Sequence, residues 1–366
     1  MKTDAHTRIL SGALVFAIAA MARAAPAQAP EDLWSKRTAQ GLAAFRRGEY
    51  SDSERFFSKA LAEAERLGPK DPHIAVSLND LGATYQRQGK YQLAESCYRR
   101  AMEIWELSSS SGYEHAVRTL ANMGSLYGDQ GMYAQAEFFY RSALRDTQRA
   151  LGRENAQVAF LLSNLGHIYW ARGQRAASRK VSEQAMALWG KLNLPETPEL
   201  ATVLNILGSI DYAKHRYGRA SALFQHALSI DERFPDADET NIARDLNNVA
   251  TVYLYTNRLS EAEVLFRRTL TVSERSPGSG RLTAQVLYNL GELYRTDERF
   301  EDAQVSYRSA AEMWEKTFGP ESQEFARKLE QIARAYRTMA MYIEARNLQN
   351  RAKEIQLRSV AQTRTR

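Results

Sequence analysis

From Asp71 to Leu107 the apolar positions run at helical spacing twice over. Val76, Leu78, Leu81 and Tyr85 recur on one face of a first helix, and Gly89 stops it. Tyr91, Ala94, Tyr98 and Ala101 carry a second helix back along the first. Asp71 and Pro72 read as an N-cap and first-turn pair, since proline lacks an N–H just where a helix leaves one unpaired. Gly82 sits inside the first helix, and Ala94 and Ala101 in the second. Small residues at these places let two helix axes approach closely. The stretch therefore predicts an antiparallel helical hairpin with too little core to stand alone, one that needs copies of itself on both sides.

The chain supplies the copies. The residue two places after the inter-helix turn is Tyr50, Tyr91, Tyr133, Arg175, Tyr217, Leu259, Phe300 and Tyr342, at steps of 41 or 42 residues. The small residue of the first helix recurs as Gly41, Gly82, Gly124, Gly166, Gly208, Ala250, Gly291 and Ala333. That of the second recurs as Ser53, Ala94, Ala136, Ser178, Ala220, Ala262, Ala303 and Ala345. The period predicts an all-α solenoid of about eight antiparallel helical hairpins over residues 32–359, followed by a frayed tail over 360–366. Ser51-x-x-Glu54 and Ser260-x-x-Glu263 are expected to form capping boxes at the starts of second helices.

The small-x-x-Tyr of the first helix and the Ala136, Tyr140, Ala143 pattern of the second resemble the tetratricopeptide repeat. The 42-residue period and the loop Leu67-Gly68-Pro69-Lys70-Asp71-Pro72 are similar to the longer variant of kinesin light chain and many bacterial proteins. The resemblance covers about nine-tenths of the chain. It implies a right-handed superhelix whose first helices line a concave groove, used to bind proteins or peptides. Repeat four departs from the pattern, with Ser178 and Ser182 in place of alanine and an aromatic, and looser packing is expected there.

The N-terminus follows another rule. Lys2 and Arg8 precede an apolar run from Ile9 to Ala22, and small-x-small sites follow at Ala22-Arg23-Ala24 and Ala27-Gln28-Ala29. This is the pattern of a secretory signal peptide over residues 1–24, with cleavage as late as residue 29, ahead of a linker over 25–31. An uncleaved anchor is the other reading of the same run. A mature chain with no integral membrane span is expected, exported to a bacterial periplasm or secreted. Cys97 is the only cysteine, so no internal disulfide exists, and its place beside Tyr98 predicts a packed thiol.

No catalytic constellation stands out. The histidines form no His-x3-His pair or Cys/His ligand set, and the recurring glycines lie inside helices, not in a phosphate loop. Glu54, Glu95, Glu137 and Glu263 each lie beside the small residue of a second helix, which marks a repeat position and not an acid/base pair. A non-enzyme without metal or cofactor is expected. A net charge of +6 favours anionic partners weakly, but the basic residues form no single stripe, so nucleic acid is not expected.

What remains is the groove that the resemblance implies. Asn122, Asn164, Asn248 and Asn289 each sit two places before the small residue, and Asn79, Asn205 and Asn247 three before. An asparagine amide both donates to and accepts from a peptide backbone, and in the family this row holds an extended peptide. The same side chains are alternatively bonds between neighbouring helices. Phe160, His167, Trp170, Tyr212 and Tyr255 add aromatic surface, flanked by Arg118, Arg244, Arg295, Arg327 and Arg337. Arginine forks match carboxylates, so the expected partner is a protein or extended peptide, acidic with an apolar anchor. The main expectation is an adaptor that binds in this groove. A structural subunit of an envelope assembly and an intracellular cargo adaptor stay open, as does the oligomeric state.

Overall fold

The computed structural model describes residues 33–107, 113–234, 239–275 and 279–364. The signal and linker readings lie outside these residues, as does the serine tract from Ser108. Among the described residues there are sixteen helices and no strand. They are α1 (Leu33–Arg46), α2 (Tyr50–Leu67), α3 (Pro72–Arg87), α4 (Tyr91–Leu107), α5 (Tyr113–Asp129), α6 (Tyr133–Leu151), α7 (Ala156–Ala171) and α8 (Arg175–Lys191), then α9 (Pro198–Ala213), α10 (Tyr217–Asp231), α11 (Glu239–Tyr255), α12 (Leu259–Arg275), α13 (Gly280–Thr296), α14 (Phe300–Phe318), α15 (Gln323–Thr338) and α16 (Tyr342–Arg364). Odd-numbered helices are the first of each hairpin and even-numbered ones the second. The fold is an all-α repeat solenoid. It divides into two compact units between Leu207 and Gly208, within α9.

Each turn within a hairpin is built the same way. The residue two places before the second helix has positive φ in all eight hairpins. It is Gly48, Gly89, Gly131 or Gly173 in the first four, and His215, Asn257, Glu298 or Ala340 in the last four. In hairpin two the Gly89 N–H donates to the Gln86 carbonyl at 3.0 Å and the Lys90 N–H to the Tyr85 carbonyl at 2.9 Å. This pair of bonds closes the helix end on a left-handed residue. The second helix then starts at once. Its N-cap in hairpin one is Glu49, which makes no side-chain cap bond, and Ser51 lies inside α2. The capping box expected at Ser51 is not formed, because the turn leaves no extended residue there. Ser260 likewise lies inside α12. Three caps between hairpins do form, at Asp71, Asn155 and Ser322: Asp71 accepts from the His73 N–H, with Pro72 opening α3.

The small residue of the first helix has one physical cause in most hairpins. A ring from the second helix, sixteen residues on, lies flat against it. A β-carbon on Gly82 would stand 2.7 Å from Tyr98, on Gly124 2.9 Å from Tyr140, and on Gly291 2.5 Å from Tyr307. In hairpin six Ala250 and Phe266 hold the two positions, both fully buried. Hairpin four puts the Ser182 hydroxyl where the ring would be, and the Ser178 hydroxyl donates to the Gly166 carbonyl at 2.8 Å.

The recurring glutamates join hairpins. Glu95 on α4 accepts from Tyr127 of α5 at 2.8 Å, Glu137 on α6 from Tyr169 of α7 at 3.2 Å, and Glu263 on α12 from Tyr294 of α13 at 3.0 Å. Arg99, Arg172 and Arg299 complete the three joints. Pairing holds the Glu95 carboxyl below its ordinary range, chiefly through the bond from Arg99. At the start of the first unit Trp34 donates to Ser77 at 2.9 Å and sits edge-on to His73. The last helix, α16, runs to Arg364.

Candidate functional site

The second unit contains a cavity of ≈ 310 Å³ built almost wholly from first helices. Ser209 and Tyr212 come from the end of α9, and Asn247, Asn248, Thr251, Leu254 and Tyr255 from α11. Gln285, Tyr288, Asn289 and Glu292 come from α13, Gln331 from α15, and Phe224 from α10 forms part of the wall. These side chains meet because residues three and four apart share a helix face. Five carboxamides, three tyrosines and one carboxylate converge there.

The two ends differ. Tyr212 meets Tyr255 edge-to-face with ring centres 5.6 Å apart, and Tyr217 stacks near Tyr255 at 6.0 Å. His215 Nδ1 lies 2.8 Å from the Tyr217 hydroxyl. Tyr255 keeps 59% of its surface exposed, the mark of an aromatic wall open to solvent. At the other end Tyr307 donates to Glu292 Oε1 at 2.5 Å and Arg295 to Oε2 at 2.9 Å. Tyr288 packs on Tyr307 and Trp314. Burial, and then the Glu292 charge, push the Tyr288 hydroxyl well above its ordinary pKa, so it stays protonated.

Of the residues expected in a groove, Tyr212, Asn248, Tyr255 and Asn289 line this cavity. The Asn289 amide donates to Asn247 at 3.0 Å and accepts from Gln285 at 3.0 Å. In the first unit Asn122 donates to Asn79 at 2.9 Å. The row two places before the small residue thus bonds the row three places before it in the preceding hairpin. This is the inter-helix alternative, realised at two joints. Asn164 and Asn205 are buried in the first unit. Phe160 packs edge-on to Trp189 of its own hairpin, and the Arg175 guanidinium covers Trp170 at 4.4 Å. His167 is half-buried.

None of the five expected arginines is among the cavity's lining residues. Arg118 lies 3.9 Å from buried Asp80, Arg244 3.7 Å from Asp245, and Arg295 bonds Glu292. Arg337 donates to Gln349, and Arg327 is exposed. Three of the five forks expected to meet an acidic ligand are therefore already beside carboxylates of the protein. Gln285, Tyr288, Glu292 and Gln331 were not singled out by the sequence. Glu292 carried a signal, as the residue after the small position is Ala83, Ser125, His167, Ser209 or Thr251 in repeats two to six.

Among the described residues no three or more His, Cys, Asp or Glu side chains gather as a metal site would need. No helix among them is long and apolar enough to cross a membrane.

The sequence pattern of the tetratricopeptide repeat matches at residues 33–107, 74–149, 115–191, 157–233, 199–275 and 282–358. The chain belongs to the tetratricopeptide-repeat family. A search of the curated proteins gives no match. Among solved structures, the apo quorum sensor NprR from B. thuringiensis is similar with a TM-score of 0.60 at 16% identity, over 88% of this chain and 87% of that one. A Rap protein complexed with Competence and Sporulation Factor is similar with a TM-score of 0.55 at 14% identity, over 91% of this chain and 100% of that one. BtubC (BKLC) from P. vanneervenii gives 0.52 at 21%, over 61% and 90%. At these identities the likeness is one of fold. The repeat content of this tetratricopeptide protein supports an interaction-scaffold role, and no catalytic family is indicated.

Proposed function

We propose that this tetratricopeptide protein is a non-catalytic adaptor that holds an extended peptide segment in the cavity of its second unit. The observation that carries the reading is the convergence of carboxamides from three successive first helices: Asn247 and Asn248 on α11, Gln285 and Asn289 on α13, and Gln331 on α15. A carboxamide offers both a donor and an acceptor, as a peptide unit requires. The aromatic wall of Tyr212 and Tyr255 offers contact area for an anchoring side chain at small entropic loss. The Rap protein of similar fold is complexed with Competence and Sporulation Factor, which agrees with a ligand-holding array. The test is anisotropy of a fluorescent random nonapeptide pool. The Asn248→Ala/Gln331→Ala variant should weaken binding by at least tenfold with unchanged helix content. Equal binding by parent and variant would move the ligand elsewhere.

Exposed Val264, Val305 and Ile343 on successive second helices favour a second reading, a structural subunit that packs through that surface. A stable oligomer that ignores peptides would support it. The signal-like stretch from Met1 to Ala24 supports export to a periplasm or the medium. The mass of the mature protein tests this. A chain starting at Ala25 or Pro30 agrees, and an intact Met1 turns the reading to an intracellular adaptor.

A further inference from the structure

We infer that the segment held in the cavity presents a cationic side chain, lysine or arginine, to the Tyr288–Glu292 end, and that acidic segments are rejected. The inference rests on the peptide-site reading above. Glu292 is the only ionisable lining residue apart from tyrosines. Its two oxygens accept bonds from within the protein, from Tyr307 and Arg295, and the Tyr288 hydroxyl also bonds this carboxylate. A carboxylate offers about four acceptor positions, so one remains for a ligand. Arg295 reaches Glu292 but is not itself a lining residue. The charged group on the cavity wall at this end is therefore the carboxylate.

The repeat does not require a carboxylate here. A buried tyrosine hydroxyl at the ring position is satisfied otherwise in hairpin two, where Tyr98 donates to Gln86 at 3.1 Å. The equivalent of Glu292 is alanine, serine, histidine or threonine in repeats two to six. Protonated Tyr288 lines the cavity beside Glu292, and the face of a phenol ring attracts a cation. An acidic side chain in the same place would face Glu292, while the two cations bonded to lining residues, Arg295 and Lys328, are held by Glu292 and Gln285. The protein's net charge of +6 works in the opposite direction, favouring acidic peptides non-specifically. A preference for lysine would therefore report the cavity and not the bulk charge.

Spacing sets the probe. Neighbouring first helices lie roughly 10 Å apart, and an extended chain advances about 3.3 Å per residue. An aromatic anchor at Tyr255 on α11 and a cation at Glu292 on α13 are then about three residues apart. The experiment uses fluorescein-labelled nonapeptide pools with phenylalanine fixed at the centre. Lysine, glutamine or glutamate is fixed three places to either side, and the other positions are randomised. Anisotropy titrations with the full chain should show the lysine pool binding about tenfold more tightly than the glutamate pool, with glutamine between. Glu292→Gln keeps an acceptor for Tyr307 and should bring the three pools within about twofold. Glutamate pools that bind the parent as tightly as lysine pools would overturn the inference while leaving the peptide site in place. If no pool binds at all, the peptide-site reading falls and takes the inference with it. An unchanged lysine preference in Glu292→Gln would overturn the role given to this carboxylate.

Discussion

Replacing Gly291 by alanine sets two known effects against each other. In a helix interior alanine is favoured over glycine by about 1 kcal/mol. At Gly291 the added β-carbon would stand 2.5 and 2.6 Å from two ring carbons of Tyr307, well inside van der Waals contact. The ring has little room to yield. Tyr307 is fully buried, lies against Tyr288 and Tyr336, and is tethered through its hydroxyl to Glu292. Overpacking of this kind costs typically 1–3 kcal/mol or more. The clash should win, leaving the variant roughly 1–2 kcal/mol less stable. Gly218 supplies the control. It lies in α10 with nothing within 4 Å of its would-be β-carbon, so Gly218→Ala should stabilise by up to about 1 kcal/mol. Gly166→Ala should fall between, because the obstructing atom is the Ser182 hydroxyl at 2.6 Å, which can rotate away. Urea unfolding followed by circular dichroism measures all three. Gly291→Ala as stable as Gly218→Ala would refute the account of why this small residue recurs.

Three further predictions concern other sites. Asp129 is 3% exposed and accepts only from Gln86, so burial lifts its carboxyl from 3.8 to about 7. The folded state then holds a proton that the unfolded state has lost, and stability should fall as pH rises from about 4 to 7. Asp129→Asn should flatten that slope by a few kcal/mol, read as the difference between parent and variant across pH; equal slopes would sink the assignment. Cys97 is a half-buried thiol pushed up to about 11 by burial, so it should react with iodoacetamide at pH 7.5 much more slowly than in the unfolded chain; equal rates would contradict the packed state. Ala340 has φ 57° at a turn where the first four hairpins use glycine. Ala340→Gly should stabilise by about 0.5–1 kcal/mol once unfolded-state entropy is set against the strain, and a loss of stability in urea would contradict the strain argument.

The fold was legible because its cause is local and repeated. A glycine and a ring sixteen residues apart in one hairpin leave the same mark each time, as with Gly82 and Tyr98 or Gly291 and Tyr307. The departure at Ser178 and Ser182 was visible for the same reason. Contacts between repeats were less legible. The rows of Asn79 and Asn122, or Asn247 and Asn289, were plain, but only the offset of neighbouring hairpins makes one row bond the other. The neighbours of the arginines were hidden in the same way, since Asp80 lies 38 positions before Arg118 and nothing local pairs them. Glu292 was passed over because it follows Gly291 without repeating a pattern. Such a residue is hard to distinguish from solvated surface until its neighbours are placed.

The most direct test of the account is to map where a peptide sits. A nonapeptide pool bearing a central benzoylphenylalanine would be irradiated with the full chain, and the adducts located by mass spectrometry. The account predicts adducts on α9 near Tyr212, on α11 near Tyr255 and on α13 near Tyr288, reduced in the Asn248→Ala/Gln331→Ala variant. Adducts confined to the second helices around Val264 and Val305, or to the first unit, would contradict it.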